Sequence, residues 1–108
     1  MIKIVYDRKK HRVTAEGHAK SAPHGEDLVC AAVSALIYTL AANVERLSQD
    51  KNKFRRAKTE ITEGKAVVSL DAVHGFESVL TLVFDAICAG FEVIAGKFPE
   101  YVDFKVVG

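Results

Sequence analysis

Two long stretches of this chain, Leu28 to about Leu47 and Phe76 to about Lys97, are patterned as helices and are too apolar to stand alone in water. The first is apolar nearly all round, interrupted mainly by Ser34, Thr39 and Asn43, the pattern of a largely buried helix. The second carries one narrow polar stripe, Ser78, Thr81, Asp85, Cys88 and Glu92, at spacings of three and four. A polar segment, Gln49 to Lys53, ends the first helix and Pro99 stops the second. Neither contains a charge-free apolar run of about 18 residues, so no membrane span is expected.

What must cover these helices is written between them. Ile2, Ile4 and Tyr6 alternate with Lys3, Val5 and Asp7, which is strand periodicity. Arg8 to Lys10 fit a hairpin turn. From His11 to His18 the alternation resumes, with Val13, Ala15 and Gly17 on one side. Phe54 to Thr62 and Lys65 to Asp71 flank Glu63-Gly64 as a second hairpin, His74-Gly75 marks a turn, and Tyr101 to Val107 forms a last short strand. The order ββαββαβ predicts an α+β two-layer sandwich: a mainly antiparallel sheet with two long helices on one face. At 108 residues it is one domain, 1–108.

Composition excludes several classes. With 49% apolar and 27% charged residues the chain is not disordered. A formal charge of +1 gives no long-range pull on nucleic acid or anionic membrane, so neither is an expected partner. The cluster Lys51, Lys53, Arg55, Arg56 and Lys58 is read as a solvated loop and strand edge, with contact to RNA or an acidic partner as its functional alternative. Two cysteines, both in helical segments, are too few for a secreted disulfide scaffold. No signal peptide pattern precedes the first strand, so the expected location is the cytoplasm.

The chemistry centres on Cys30. Lys20 to Glu26 is read as a loop and Asp27 as the helix N-cap, which puts Cys30 at the third helical position. Amides at a helix start favour a thiolate and could hold an oxyanion. His18 ends the second strand, twelve residues before Cys30. A strand end, a loop and a helix start can bring imidazole and thiol into hydrogen-bond reach, the minimum for Cys–His acyl transfer. A cysteine beside alanines is also an ordinary core residue, so spacing alone leaves both readings open.

Gly17-His18-Ala19, five loop residues, then Gly25-Glu26-Asp27-Leu28-Val29-Cys30-Ala31-Ala32-Val33-Ser34 closely resembles the signature of the ribosomal-processing cysteine protease family, Prp. Gly90-Phe91-Glu92-Val93-Ile94 and Phe98-Pro99-Glu100-Tyr101-Val102 resemble its closing segment more weakly. The resemblance implies a bacterial homodimer needing no metal or cofactor. It implies removal of a short N-terminal extension from a large-subunit ribosomal protein precursor. It maps catalytic roles onto His18 and Cys30 and supporting ones onto Asp27 and Ser34, with a 19–26 loop that orders over the peptide. Within that loop Lys20 and Ser21 stand where the family usually has Gly and an aromatic, and Pro23 replaces a more flexible residue.

Each residue also has a plainer reading. Asp27 is first a cap, and Ser34 can return a bond to its own helix. Gly25 supplies a backbone angle or a hinge. His24 competes with His18 as base but sits in the loop. His11 and His74 flank turns and are expected to be solvated. Cys88 is expected to be inert packing, and Tyr38 to be core or dimer interface. Two rival functions follow: a non-catalytic peptide-binding or regulatory homologue, or a protease of the same family with a different, for example phage, substrate. A thiol redox sensor using Cys30 and Cys88 is a third.

Overall fold

The computed structural model describes residues 1–17 and 24–108, with side chains along the first helix from residue 28 onward. Five strands and two helices follow in the order β1 (Ile2–Asp7), β2 (Arg12–Glu16), α1 (His24–Leu47), β3 (Phe54–Thr62), β4 (Lys65–Ala72), α2 (Glu77–Lys97) and β5 (Val102–Val107). They form one sheet of order β3-β4-β2-β1-β5. Every neighbouring pair is antiparallel except β1 and β5, which run parallel with Ile2 opposite Val102. Both helices cover one face of this sheet, so the predicted two-layer α+β sandwich and its element order are what the chain adopts.

The period-two alternation sets which face is covered. Ile2, Ile4 and Tyr6 of β1, Val13 and Ala15 of β2, Val68 and Leu70 of β4 and Val102 of β5 are buried under the helices. Val29, Val33, Ile37, Leu40 and Val44 of α1 meet them, as do Leu80, Phe84, Cys88 and Phe91 of α2. Each fully buried side chain of this size contributes about 1.5–3 kcal/mol. The helices approach closely where a Cβ on Gly90 would press on Leu36 Cδ1 at 2.8 Å. By length and composition, Leu28–Leu47 and Glu77–Lys97 are apolar enough to cross a membrane, with mean hydropathy of 1.7 and 1.9. Glu45 and Arg46 in the first and Asp85 and Glu92 in the second still interrupt any charge-free run of about 18 residues. Each helix buries one face on the sheet and leaves apolar side chains such as Leu28 and Leu82 in the open, so the expectation of a largely buried first helix is corrected.

Two further expectations fail. First, α1 begins at His24, so Asp27 is its fourth residue and not its cap, and Gly25 lies inside the first turn. Gly25 marks loops in most settings, which hides this start in the sequence. Second, His11 is buried, not solvated. It takes a left-handed φ of 51° that closes the β1–β2 turn, which no Asn-Gly or Asp-Gly pair marks. Its Nε2 lies 2.6 Å from Thr81 Oγ1, and its ring meets Phe84 edge-on. The polar stripe of α2 is thus partly turned to the sheet. Tyr6 donates to Asp85 at 2.8 Å and Arg8 donates to both oxygens of the same carboxylate. The guanidinium holds the Asp85 carboxyl below the ordinary carboxylate range.

Burial lowers the His11 pKa below its ordinary 6.5, so the folded protein favours neutral imidazole. The unfolded chain then binds more protons as pH falls through 6.5, and stability must fall with it. Urea denaturation should show stability dropping between pH 7 and pH 5, and His11→Gln should flatten that drop. An unchanged slope in the variant would mean that another group carries it.

Candidate active site

Cys30 sits on the seventh residue of α1, about 9 Å along the axis from the first. Helix-end electrostatics act mainly within the first turn, so the expected placement of Cys30 among the free amides of the helix start does not hold. What the fold supplies instead is a cleft. Its volume is about 390 Å³, and it lies between the N-terminal half of α1 and the β3–β4 turn.

One wall is a helix face, where Cys30, Ser34 and Tyr38 follow at i, i+4 and i+8. Val33 and Ile37, buried in the core, form the base of that wall. The opposite wall is the hairpin end from Ile61 to Ala66. Cys30 is half-buried and its thiol is free. Ser34 is exposed in the cleft, and among the described residues its hydroxyl makes no bond back to the helix, whereas Thr39 donates to the Ala35 carbonyl.

Gly17 also lines the cleft, at the point where β2 ends. Its amide donates to the Gly64 carbonyl at 2.9 Å, tying the strand end to the β3–β4 turn. It has a left-handed φ of 101°, and a Cβ there would collide with the Met1 carbonyl. Glycine is therefore required on steric and conformational grounds together. His18 follows it directly. His18 lies outside the described residues, as do the remainder of the loop to Pro23 and the side chains of His24 and Asp27. The chain thus leaves the visible wall of the Cys30 cleft one residue before the expected base.

The other candidates separate clearly. Cys88 is buried on the sheet-facing side of α2, where desolvation, then the charge of Asp85, pushes its thiol up to about 12. Its expected role as packing fits that burial. His74 is fully exposed, 3.7 Å from Glu77, as expected. Tyr38 is neither core nor hidden: it is 61% exposed at the end of the cleft. Tyr38, Ile61, Glu63 and Lys65 line the cleft, a role that sequence reasoning gave to none of them. For Tyr38 the signal was present, since it continues the Cys30–Ser34 stripe by one further step of four.

The arrangement suits covalent chemistry on an extended chain: a half-exposed thiol beside a hydroxyl, an aromatic along the groove, and a sheet hairpin opposite. Comparison with known proteins agrees. The family model for cysteine protease Prp matches residues 1–103. The ribosomal processing cysteine protease Prp of Mycoplasma pneumoniae is 50% identical over 107 residues, covering 97% of this chain and 94% of that protein. The Mycoplasma genitalium protein of the same name is 31% identical over 104 residues, covering 94% and 92%. Among solved structures, a Streptococcus mutans protein superposes with a TM-score of 0.70 at 26% identity, covering 98% of this chain and 91% of that one. The Prp of Staphylococcus aureus, solved with a substrate peptide, has a TM-score of 0.72 at 19% identity, covering 98% and 99%, and so shares the fold. This chain belongs to the Prp family of ribosomal-processing cysteine proteases.

Proposed function

We propose that this protein is an endopeptidase that removes a short N-terminal extension from a large-subunit ribosomal protein, with Cys30 as nucleophile and His18 as general base. His18 takes the thiol proton and Sγ attacks the scissile carbonyl carbon. The tetrahedral oxyanion collapses, the C–N bond breaks, and the imidazolium protonates the departing amine. Water, deprotonated by His18, then hydrolyses the thioester and frees Cys30. The observation that carries this reading is the free, half-exposed Cys30 thiol in a cleft whose wall ends at Gly17, the residue before His18. The proposed reaction needs no metal or cofactor.

Ser34 borders the reacting thiol and is assigned to polarise the site. Asp27, at i−3 from Cys30, is assigned to orient His18, and Gly25, in the first turn of α1, to serve as a hinge. A Staphylococcus aureus relative captured with a covalently linked product peptide supports a covalent stage in this fold. Lys20 and Ser21 depart from the family pattern, so a substrate peptide different from that of the family at large is part of the proposal.

The proposed unit is a homodimer, supported by apolar side chains left in the open on the helix layer, among them Leu28 at 69% and Leu82 at 71% exposure. The proposed setting is the cytoplasm, where a free thiol stays reduced. Incubation with extended ribosomal protein precursors from the host should yield one product shortened at its N-terminus, read by mass. The native mass spectrum of the enzyme should show twice the chain mass. Failure to shorten any such precursor would contradict the substrate assignment, and a monomer at micromolar concentration would contradict the assembly.

A further inference from the structure

A second concavity, of about 450 Å³, lies toward the opposite end of the strands from Cys30. Arg12, on its rim, and Gly17, on the catalytic cleft, are separated by most of the length of β2, about 16 Å. Five cations from three segments converge on it: Lys9 and Lys10 from the β1–β2 turn, Arg12 from β2, and Arg56 and Lys58 from β3. Two carboxylates, Asp71 and Glu77, face them. The cleft therefore holds more positive charge than the whole chain, whose net is +1.

The carboxylates are already engaged. Asp71 pairs with Arg56, and Glu77 accepts from the Gly75 amide at 2.5 Å and lies near His74. Lys9, Lys10 and Arg12 have no carboxylate at ion-pair distance among the described residues, and Arg12 Nε is buried there without a hydrogen-bond partner. That nitrogen is sealed from outside, so whatever Arg12 offers a ligand comes from the rest of its half-buried guanidinium. The backbone is also constrained at this place. Among the described residues the two non-glycine positions with left-handed φ are His11 and Arg56, and both line the cleft. Arg56 lies within the irregularity between Arg55 and Lys58, where β3 departs from regular pairing with β4 and its side chains are re-aimed.

We propose that this cleft binds the phosphodiester backbone of RNA. Exposed Arg55, Lys53 and Lys51 follow in sequence along edge strand β3 and the turn before it, although Lys53 is paired with Asp50. A band of spaced cations longer than one pocket fits a polymer with repeated charges better than a single anion. Arg56 is held by Asp71 and Lys58 lies 3.8 Å from Glu60, so Lys9, Lys10 and the terminal nitrogens of Arg12 are the donors left for phosphate oxygens. Among the described residues no aromatic ring other than His11 lines the cleft, and that ring turns inward to Thr81. Bases therefore have nothing to stack on, and recognition rests on phosphates without sequence preference. Uniform net charge over the chain hid this asymmetry at the level of composition.

The inference is independent of the protease reading, because the two clefts share no lining residue. Its test is fluorescence anisotropy of a labelled 20-nucleotide RNA with the full chain. With three to five phosphates neutralised, affinity should weaken by at least about tenfold between 50 and 200 mM salt. Arg12→Gln with Lys58→Gln should weaken binding about tenfold at low salt and flatten the salt slope by about one, with precursor cleavage unchanged. Lys9→Gln with Lys10→Gln, on an exposed turn, should act in the same direction and guards against a folding defect in the first pair. Unaltered binding by both double variants, no binding at 50 mM salt, or tighter binding of polyglutamate than of RNA would each overturn the proposal.

Discussion

Cys30→Ala loses precursor cleavage by about a thousandfold or more and folds like the parent. The size follows from the role: a nucleophile that forms the covalent intermediate has no substitute in the cleft, and losses of this order are usual when one member of a concerted pair is removed. The fold survives because the thiol is half-buried at the cleft edge and not within the sealed core. His18→Ala should lose a comparable factor, and added imidazole should restore part of the rate in that variant but none in Cys30→Ala. Cleavage kinetics on a synthetic precursor peptide check both. Near-parental cleavage by Cys30→Ala would remove the nucleophile assignment, and full activity in His18→Ala would remove the base.

Phe84→Ala has the largest expected effect on folding, about 3–5 kcal/mol. Phe84 has no exposed surface, stacks on Tyr6 with ring centroids 5.9 Å apart and meets His11 edge-on at the same distance. Truncation empties the place where α2 rests on β1 and the β1–β2 turn. Domains of this size are stable by about 5–15 kcal/mol in all, so the variant should sit near its unfolding midpoint under mild conditions. Urea titration followed by circular dichroism gives the value. A loss under about 1 kcal/mol would mean that the surrounding side chains collapse into the space.

Periodicity made the architecture legible. Alternation at Ile2-Ile4-Tyr6 and the apolar runs of both helices have few competing interpretations, because each must bury a face. The helix start at His24 was hidden by Gly25, a residue that marks loops in most settings yet here lies in the first helical turn. His11 was misjudged for a related reason: turns are usually wet, but this one folds back so that its last residue enters the core beneath α2.

The candidate site was legible in part. Spacing and the family motif pointed to Cys30 and Ser34, and the cleft brings both to one surface. The far wall was not legible, since Ile61 to Ala66 is a distant hairpin whose approach to α1 depends on sheet order. Nor could composition disclose that Lys9, Lys10, Arg12, Arg56 and Lys58 gather in one concavity, because their segments become neighbours only through the β3-β4-β2-β1 arrangement.

The most direct measurement is partial alkylation with iodoacetamide at pH 7.5, with peptide mapping of each cysteine and residual precursor cleavage followed on the same samples. Cys88, buried with its thiol raised to about 12, should stay unmodified until the protein is unfolded. Lost activity should equal the fraction of Cys30 carboxamidomethylated, and substrate peptide should slow both together. A chain fully modified at Cys30 that still shortens its precursor at the parental rate would contradict the account.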